Sequence, residues 1–132
     1  MGEHETALVS QLDFGSDGLG LIPVVTQDIA SREVLVMAFV NQAALAASRQ
    51  SSYATFWSRS RKTLWQKGET SGNRLKIREI RVNCEQNSLL FLVELEGSGA
   101  CHAPRRDGQP HFSCYYRRVN SDDSLTIIDE AD

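Results

Sequence analysis

A succession of short apolar runs constrains the fold of this chain more than any other feature. Residues 33–40 read E-V-L-V-M-A-F-V, a strong apolar run after Glu33 and of the length of a buried strand. Residues 21–26 form a second, in which Pro23 marks an edge or a strand start because it has no N–H to give to a ladder. The two flank residues 27–32 and predict a hairpin. Leu75, Ile77, Ile80 and Val82 predict a strand with a phase slip near Glu79, and residues 88–95 predict another, closed by the turn Gly97-Ser98-Gly99. Residues 53–57, 112–119 and 125–128 are further strand candidates. Only residues 42–49 read as helix: they are Ala-rich, and the side-chain oxygen of Asn41 can cap their first turn. Many strands and one short helix predict a small, β-rich α+β domain.

The length of 132 residues is that of one domain. The reading is a flexible lead-in over residues 1–17, where Gly15 begins a series of glycines that interrupts regular structure, and a single domain over residues 18–132. With 41% hydrophobic and 23% charged residues, the composition excludes a disordered chain. No apolar run approaches the roughly 18 residues of a membrane span. The acidic start Met1-Gly2-Glu3-His4-Glu5 lacks the basic-then-apolar pattern of a secretory signal. A cytoplasmic protein with no membrane partner is expected.

The net charge of −3 argues against a general nucleic-acid binder, but it conceals a split. Residues 1–58 carry two basic and six acidic side chains, residues 59–81 eight and two, and residues 82–132 four and nine, giving −4, +6 and −5. A short cationic segment between acidic flanks predicts a local anionic ligand. Its core runs S-R-S-R-K-T-L-W-Q-K-G-E-T-S-G over residues 58–72. Arg59 and Arg61 offer planar forks for phosphate oxygens, and Lys67 a point charge. Thr70, Ser71 and Gly72 offer hydroxyls and a backbone that a ligand can approach closely. Trp57 and Trp65 suit stacking on a base. The competing reading is a solvated charged hairpin with its tryptophans in the core. No Walker loop is present.

The three cysteines are Cys84, Cys101 and Cys114. An odd number cannot close a disulfide framework within one chain. Three thiolates can hold zinc with a fourth position open to water, and zinc lowers the pKa of such a water to about 7. Their spacings of 17 and 13 match no short zinc-knuckle pair, so plain packing or a thiol nucleophile remain alternatives. His102 suits proton transfer if it is not itself a ligand. His111 reads as a loop residue.

These segments together resemble the phosphoribosyl-AMP cyclohydrolases of histidine biosynthesis. The family run S-R-S-R-x-x-L-W-x-K-G-x-T-S-G is similar to residues 58–72 almost letter for letter, and a family order of D-C-D-x-D, C-H and S-C-[FY] is matched by Cys84, by Cys101-His102 and by Ser113-Cys114-Tyr115. The resemblance covers roughly residues 18–117. It implies hydrolysis of the adenine ring of phosphoribosyl-AMP at the N1–C6 bond. It also implies an intertwined homodimer whose metal site is shared between chains. Carried over position by position, Cys84, Cys101 and Cys114 are zinc ligands and His102 is the catalytic proton-transfer residue. Arg59, Arg61, Trp65, Lys67, Thr70, Ser71 and Gly72 bind substrate. A magnesium site is implied at Asn83, Glu85 and Asn87.

Two departures from the family pattern stand out. Where the family has three aspartates, this chain has Asn83, Glu85 and Asn87, one carboxylate and two amides, which weakens or removes a Mg²⁺ site. Residues 103–112 also lengthen the spacing between the last two cysteines from the family's seven to 13 and add Arg105, Arg106 and His111. The first expectation is therefore an active cyclohydrolase. A second is a divergent paralogue of the same fold that hydrolyses a different purine or related nitrogen heterocycle, and a third is a non-catalytic zinc- or nucleotide-binding dimer.

Overall fold

A computed structural model describes residues 8–15 and 20–130. Of the expected lead-in, residues 1–7 and 16–17 lie outside the described residues. Between them, residues 9–11 form one 3₁₀ turn and Phe14 enters the hydrophobic core.

The main sheet is built from β1 (Ile22–Asp28), β2 (Val34–Val40), β5 (Arg74–Val82) and β6 (Leu89–Glu96), in the order β2-β1-β6-β5. The predicted hairpin is β1–β2, antiparallel from Ile22↔Val40 to Gln27↔Val34 with an irregularity after Thr26. Thr26 turns its hydroxyl onto the β2 backbone, donating to Val36 O (2.9 Å) and accepting from Val36 N (3.1 Å). The expected phase slip in β5 is a bulge between Ile77 and Glu79. The bulge lets Ile77 and Ile80 both pack against the core although the spacing between them is odd.

The pairing of β1 with β6 is parallel, Val24↔Leu89 to Asp28↔Val93, and joins segments more than 60 residues apart. Pro23 is therefore in an interior strand, but at its second residue, before the β6 ladder begins at Val24.

The helix α1 (Gln42–Ser51) starts as expected, with Asn41 Oδ1 accepting from Ala44 N at 2.8 Å. It buries Ala44, Leu45 and Ser48. Ser48 Oγ donates to Thr55 O and accepts from Thr55 N, both at 2.9 Å. That buried pair fixes a second sheet against the helix: the hairpin of β3 (Thr55–Ser58) and β4 (Thr63–Gln66). Phe56 joins the two layers, with its ring centroid 6.5 Å from Phe91 of the main sheet and 5.4 Å from Trp65. A third, small sheet is the hairpin of β7 (Arg117–Val119) with β8 (Leu125–Ile127). The candidate strand at residues 112–119 is thus regular only at its end. The α+β reading holds.

Candidate active site

The β5–β6 hairpin sets two cysteines at opposite ends. Cys84 lies in the turn that joins the strands and is exposed, whereas Cys101 follows the far end of β6 and is buried. β6 alone has eight residues, so at about 3.3 Å per residue the strand carries the chain roughly 25 Å between the two regions.

Cys101 and Cys114 converge. The segment after β6 runs antiparallel to the segment before Cys114, with Ala100 N donating to Phe112 O (3.0 Å) and Cys101 N to His111 O (3.1 Å). Gly99 permits the approach: a Cβ there would stand 2.4 Å from His111 O and 2.7 Å from Pro110 O. Cys114 is pinned to the start of β2 by its N–H to Leu35 O (2.7 Å), and the Ser113 hydroxyl donates to Val34 O. The backbone N–H of Ala103 donates to Cys101 Sγ (3.3 Å) and so fixes the sulfur's direction.

Lys67 completes the group. Its backbone N–H bonds Ala54 O at 3.0 Å. Its neighbour Gly68 has φ +79°, and a Cβ there would stand 2.2 Å from the Asn73 carbonyl, so this turn requires glycine. The Cys114 thiol is pushed up to about 11, first by burial, then by the charge of Cys101 and a hydrogen bond with it, while Lys67 opposes the rise. Burial lowers the Lys67 ammonium, and the two thiols partly restore it. Two sulfurs and one cation thus share a half-buried recess. The donor set suits a soft divalent metal, whose ligation would remove the thiol protons and whose net thiolate charge Lys67 would balance.

The cationic signature forms the β3–β4 hairpin and the turn after it. Arg59, Arg61 and Lys62 lie exposed at the tip, where Ser58 Oγ accepts from Arg61 N (3.2 Å) and the Arg59 guanidinium stacks on Phe39 at 4.1 Å. Lys67, Thr70, Ser71 and Gly72 lie at the base, where a Cβ on Gly72 would meet only open space. Trp65 and Trp57 pack against the core, as the hairpin reading expects. The signature therefore presents two cationic ends rather than one patch.

His102 is exposed beside Cys101. His111 is 2% exposed, its ring stacked on Tyr116 at 3.5 Å and its Nδ1 2.7 Å from Asp129 Oδ2. Glu130 Oε1 accepts from Arg106 N (2.7 Å), so the long 103–112 loop is fastened to the end of the chain. His111, Asp129 and Glu130 place potential metal-ligand atoms within 4.8 Å of one another. Sequence reasoning missed this cluster, because its acidic half lies 18 residues from the histidine and follows no motif.

Asn83, Glu85 and Asn87 stand in the turn around Cys84. Asn83 Oδ1 accepts from the backbone N–H groups of Asn87 and Ser88, both at 3.0 Å, and Asn83 Nδ2 donates to Asn87 Oδ1 at 2.7 Å. With its amide oxygens engaged and one carboxylate present, this turn does not fit a magnesium ion. Beside it, Ile80, Val82 and Leu89 line an apolar cavity of about 330 Å³ together with Arg49 and Arg81.

Residues 36–116 match the sequence model of the family described as Phosphoribosyl-AMP cyclohydrolase. The chain belongs to this family. A phosphoribosyl-AMP cyclohydrolase of Archaeoglobus fulgidus is 47% identical over 107 residues, covering 81% of this chain and 93% of the relative. One from Methanosarcina acetivorans is 50% identical over 103 residues, covering 78% and 80%. One from Desulforapulum autotrophicum is 42% identical over 120 residues, covering 91% and 90%. Members of this family are hydrolases of a cyclic amidine C–N bond, and this chain is such a hydrolase. No helix among the described residues is long and apolar enough to cross a membrane.

Proposed function

We propose that this protein opens the N1–C6 bond of the adenine ring of phosphoribosyl-AMP, a step of histidine biosynthesis, as a zinc-dependent homodimer. The observation that carries the reading is the meeting of Cys101, Cys114 and Lys67 at the base of the signature hairpin. These two thiols supply two of the three ligands that an open zinc site requires. Cys84, about a strand length away on an exposed turn, supplies the third to the site of a second copy. Each dimer then contains two equivalent sites, as a two-fold axis demands. Bound zinc supplies an activated water at neutral pH.

The chain's own residues do the rest. The two cationic ends of the hairpin, Arg59 with Arg61 and Lys67 with Thr70, Ser71 and Gly72, hold the two phosphate-bearing arms of the substrate and so place the purine between them. Trp65 acts from the core by fixing the hairpin's register against Phe56. Water adds at C6, the N1–C6 bond breaks, N1 keeps the bonding pair, and C6 becomes a carboxamide carbon. His102, next to Cys101 and open to solvent, takes one proton from the incoming water and returns it to N1, while the other goes to the exocyclic nitrogen, which becomes the carboxamide NH₂.

The test is ultraviolet spectroscopy of ring opening with the zinc-loaded protein. Turnover of phosphoribosyl-AMP supports the reading, and no turnover by protein holding one zinc per chain overturns it. The 103–112 loop beside Cys101, fastened by His111–Asp129, favours one second reading, a different purine as substrate. Turnover of another purine nucleotide with phosphoribosyl-AMP inert would select it.

A further inference from the structure

We propose that hydrogen bonds of Asn83 replace a bound cation in the 83–88 turn, so that this enzyme folds its Cys84 turn and works without magnesium there. The inference rests on membership of the family and not on the substrate.

An amide oxygen has two lone pairs, and both of those on Asn83 Oδ1 are directed to backbone N–H groups, from Asn87 and Ser88. The carbonyl of Asn83 accepts from Gln86 N (3.1 Å), that of Ser88 from Asn83 N (3.2 Å), and that of Gln86 from Asp13 N (2.9 Å). Asn87 Oδ1 accepts from Asn83 Nδ2. Among the side chains of the motif, the Glu85 carboxylate and one lone pair of Asn87 Oδ1 are left for a hard cation, which prefers six oxygens and gains affinity with ligand charge. Magnesium would have to break the two bonds that close the turn.

The Asn83 Nδ2 group occupies the place of the cation in chemical terms. Two carboxylates at positions 83 and 87 would hold their oxygens within hydrogen-bond distance of each other. Such a like-charged pair requires a cation or a proton between them. An amide donor facing an amide acceptor satisfies the same gap with no net charge. Gln86, at φ +61°, takes the left-handed position that lets the chain turn back on Asn83.

The test uses the zinc-loaded full chain and needs no substrate. Magnesium and, as a paramagnetic probe, manganese are titrated while the melting temperature and water-proton relaxation are followed. The expected result is no saturable binding by the natural protein up to about 10 mM and a melting temperature that does not move with Mg²⁺. The double variant Asn83→Asp, Asn87→Asp is expected to melt lower without magnesium and to regain about 3 °C or more with it. Asn83→Ala is expected to melt lower at every magnesium concentration, since two N–H groups lose their acceptor. Stoichiometric Mn²⁺ binding by the natural protein that disappears in Glu85→Gln would overturn the proposal. So would a double variant that folds and stays indifferent to magnesium. Failure of ring opening in the separate activity assay would count against the proposed substrate and leave these readouts unaffected.

Discussion

The turn around Cys84 and the recess around Cys101 and Cys114 both present thiols, yet they are built oppositely. The recess is made by long-range contacts: Cys114 hangs from Leu35 of β2, Cys101 from His111, and Lys67 arrives from the β3–β4 hairpin. The turn is closed mainly from within, by side chains that bond their own backbone, with one bond from outside, Asp13 N to Gln86 O. One is a half-buried place that a metal can complete, and the other is an exposed tip that can reach into a neighbour. A shared site needs both kinds: a rigid receiving half and a self-sufficient projecting half.

The sharpest way to break this contrast is Cys101→Ser or Cys114→Ser. Each is expected to cost about 10³-fold or more in turnover and to release zinc, checked by metal analysis beside the ring-opening assay. Cys84→Ser is expected to lose activity to a similar degree. Mixing Cys84→Ser with Cys101→Ser chains and refolding should nevertheless restore about a quarter of natural activity, because half of random dimers are mixed and each holds one intact site. No recovery on mixing would place all three thiols' work within one chain.

Lys67→Gln tests the cation in the recess. It is expected to lower kcat/KM about 10–100-fold while zinc content is retained, measured by steady-state kinetics on the metal-loaded variant. Asp129→Asn tests the fastening of the 103–112 loop. It leaves buried His111 without its carboxylate and should cost about 1–3 kcal/mol, read as a melting temperature lower by several degrees.

The smallest effect is a pH dependence of the metal-free protein. The folded state raises the Cys114 thiol to about 11 by burial, so it favours the neutral form. The corresponding stability is fully present below the ordinary thiol range and is lost as pH rises toward the raised value. The melting temperature of metal-free protein should therefore fall above about pH 9, and bound zinc should suppress the fall by holding the sulfur ionised.

Much of this was legible locally. The β1–β2 hairpin, the Asn41 cap, the bulge in β5 and β6 itself followed from patterns within ten or so residues. The signature over residues 58–72 pointed to the cationic hairpin and to the family. The joining of His111 to Asp129 was not legible, since no periodicity or motif connects residues in a loop and a tail. Nor was the stiffness of the 83–88 turn. Asparagine at position 83 read as a weaker metal ligand, and only its bonds to Asn87 and Ser88 showed it to be a structural acceptor.

The sequence by itself determined the kinds of element, the three thiols, the cationic run and the family, because each is a matter of residue type and short spacing. Only the tertiary structure decided where those groups stand. Parallel pairing of β1 with β6 depends on closing a long loop, and no local pattern specifies it. That pairing sets β6 between the two cysteine regions, sends Cys84 to one end of the sheet and gathers Cys101, Cys114 and Lys67 at the other. The reason is geometric. A strand keeps its ends about 25 Å apart whatever side chains it carries, so Cys84 and Cys101 stay in separate regions of the chain.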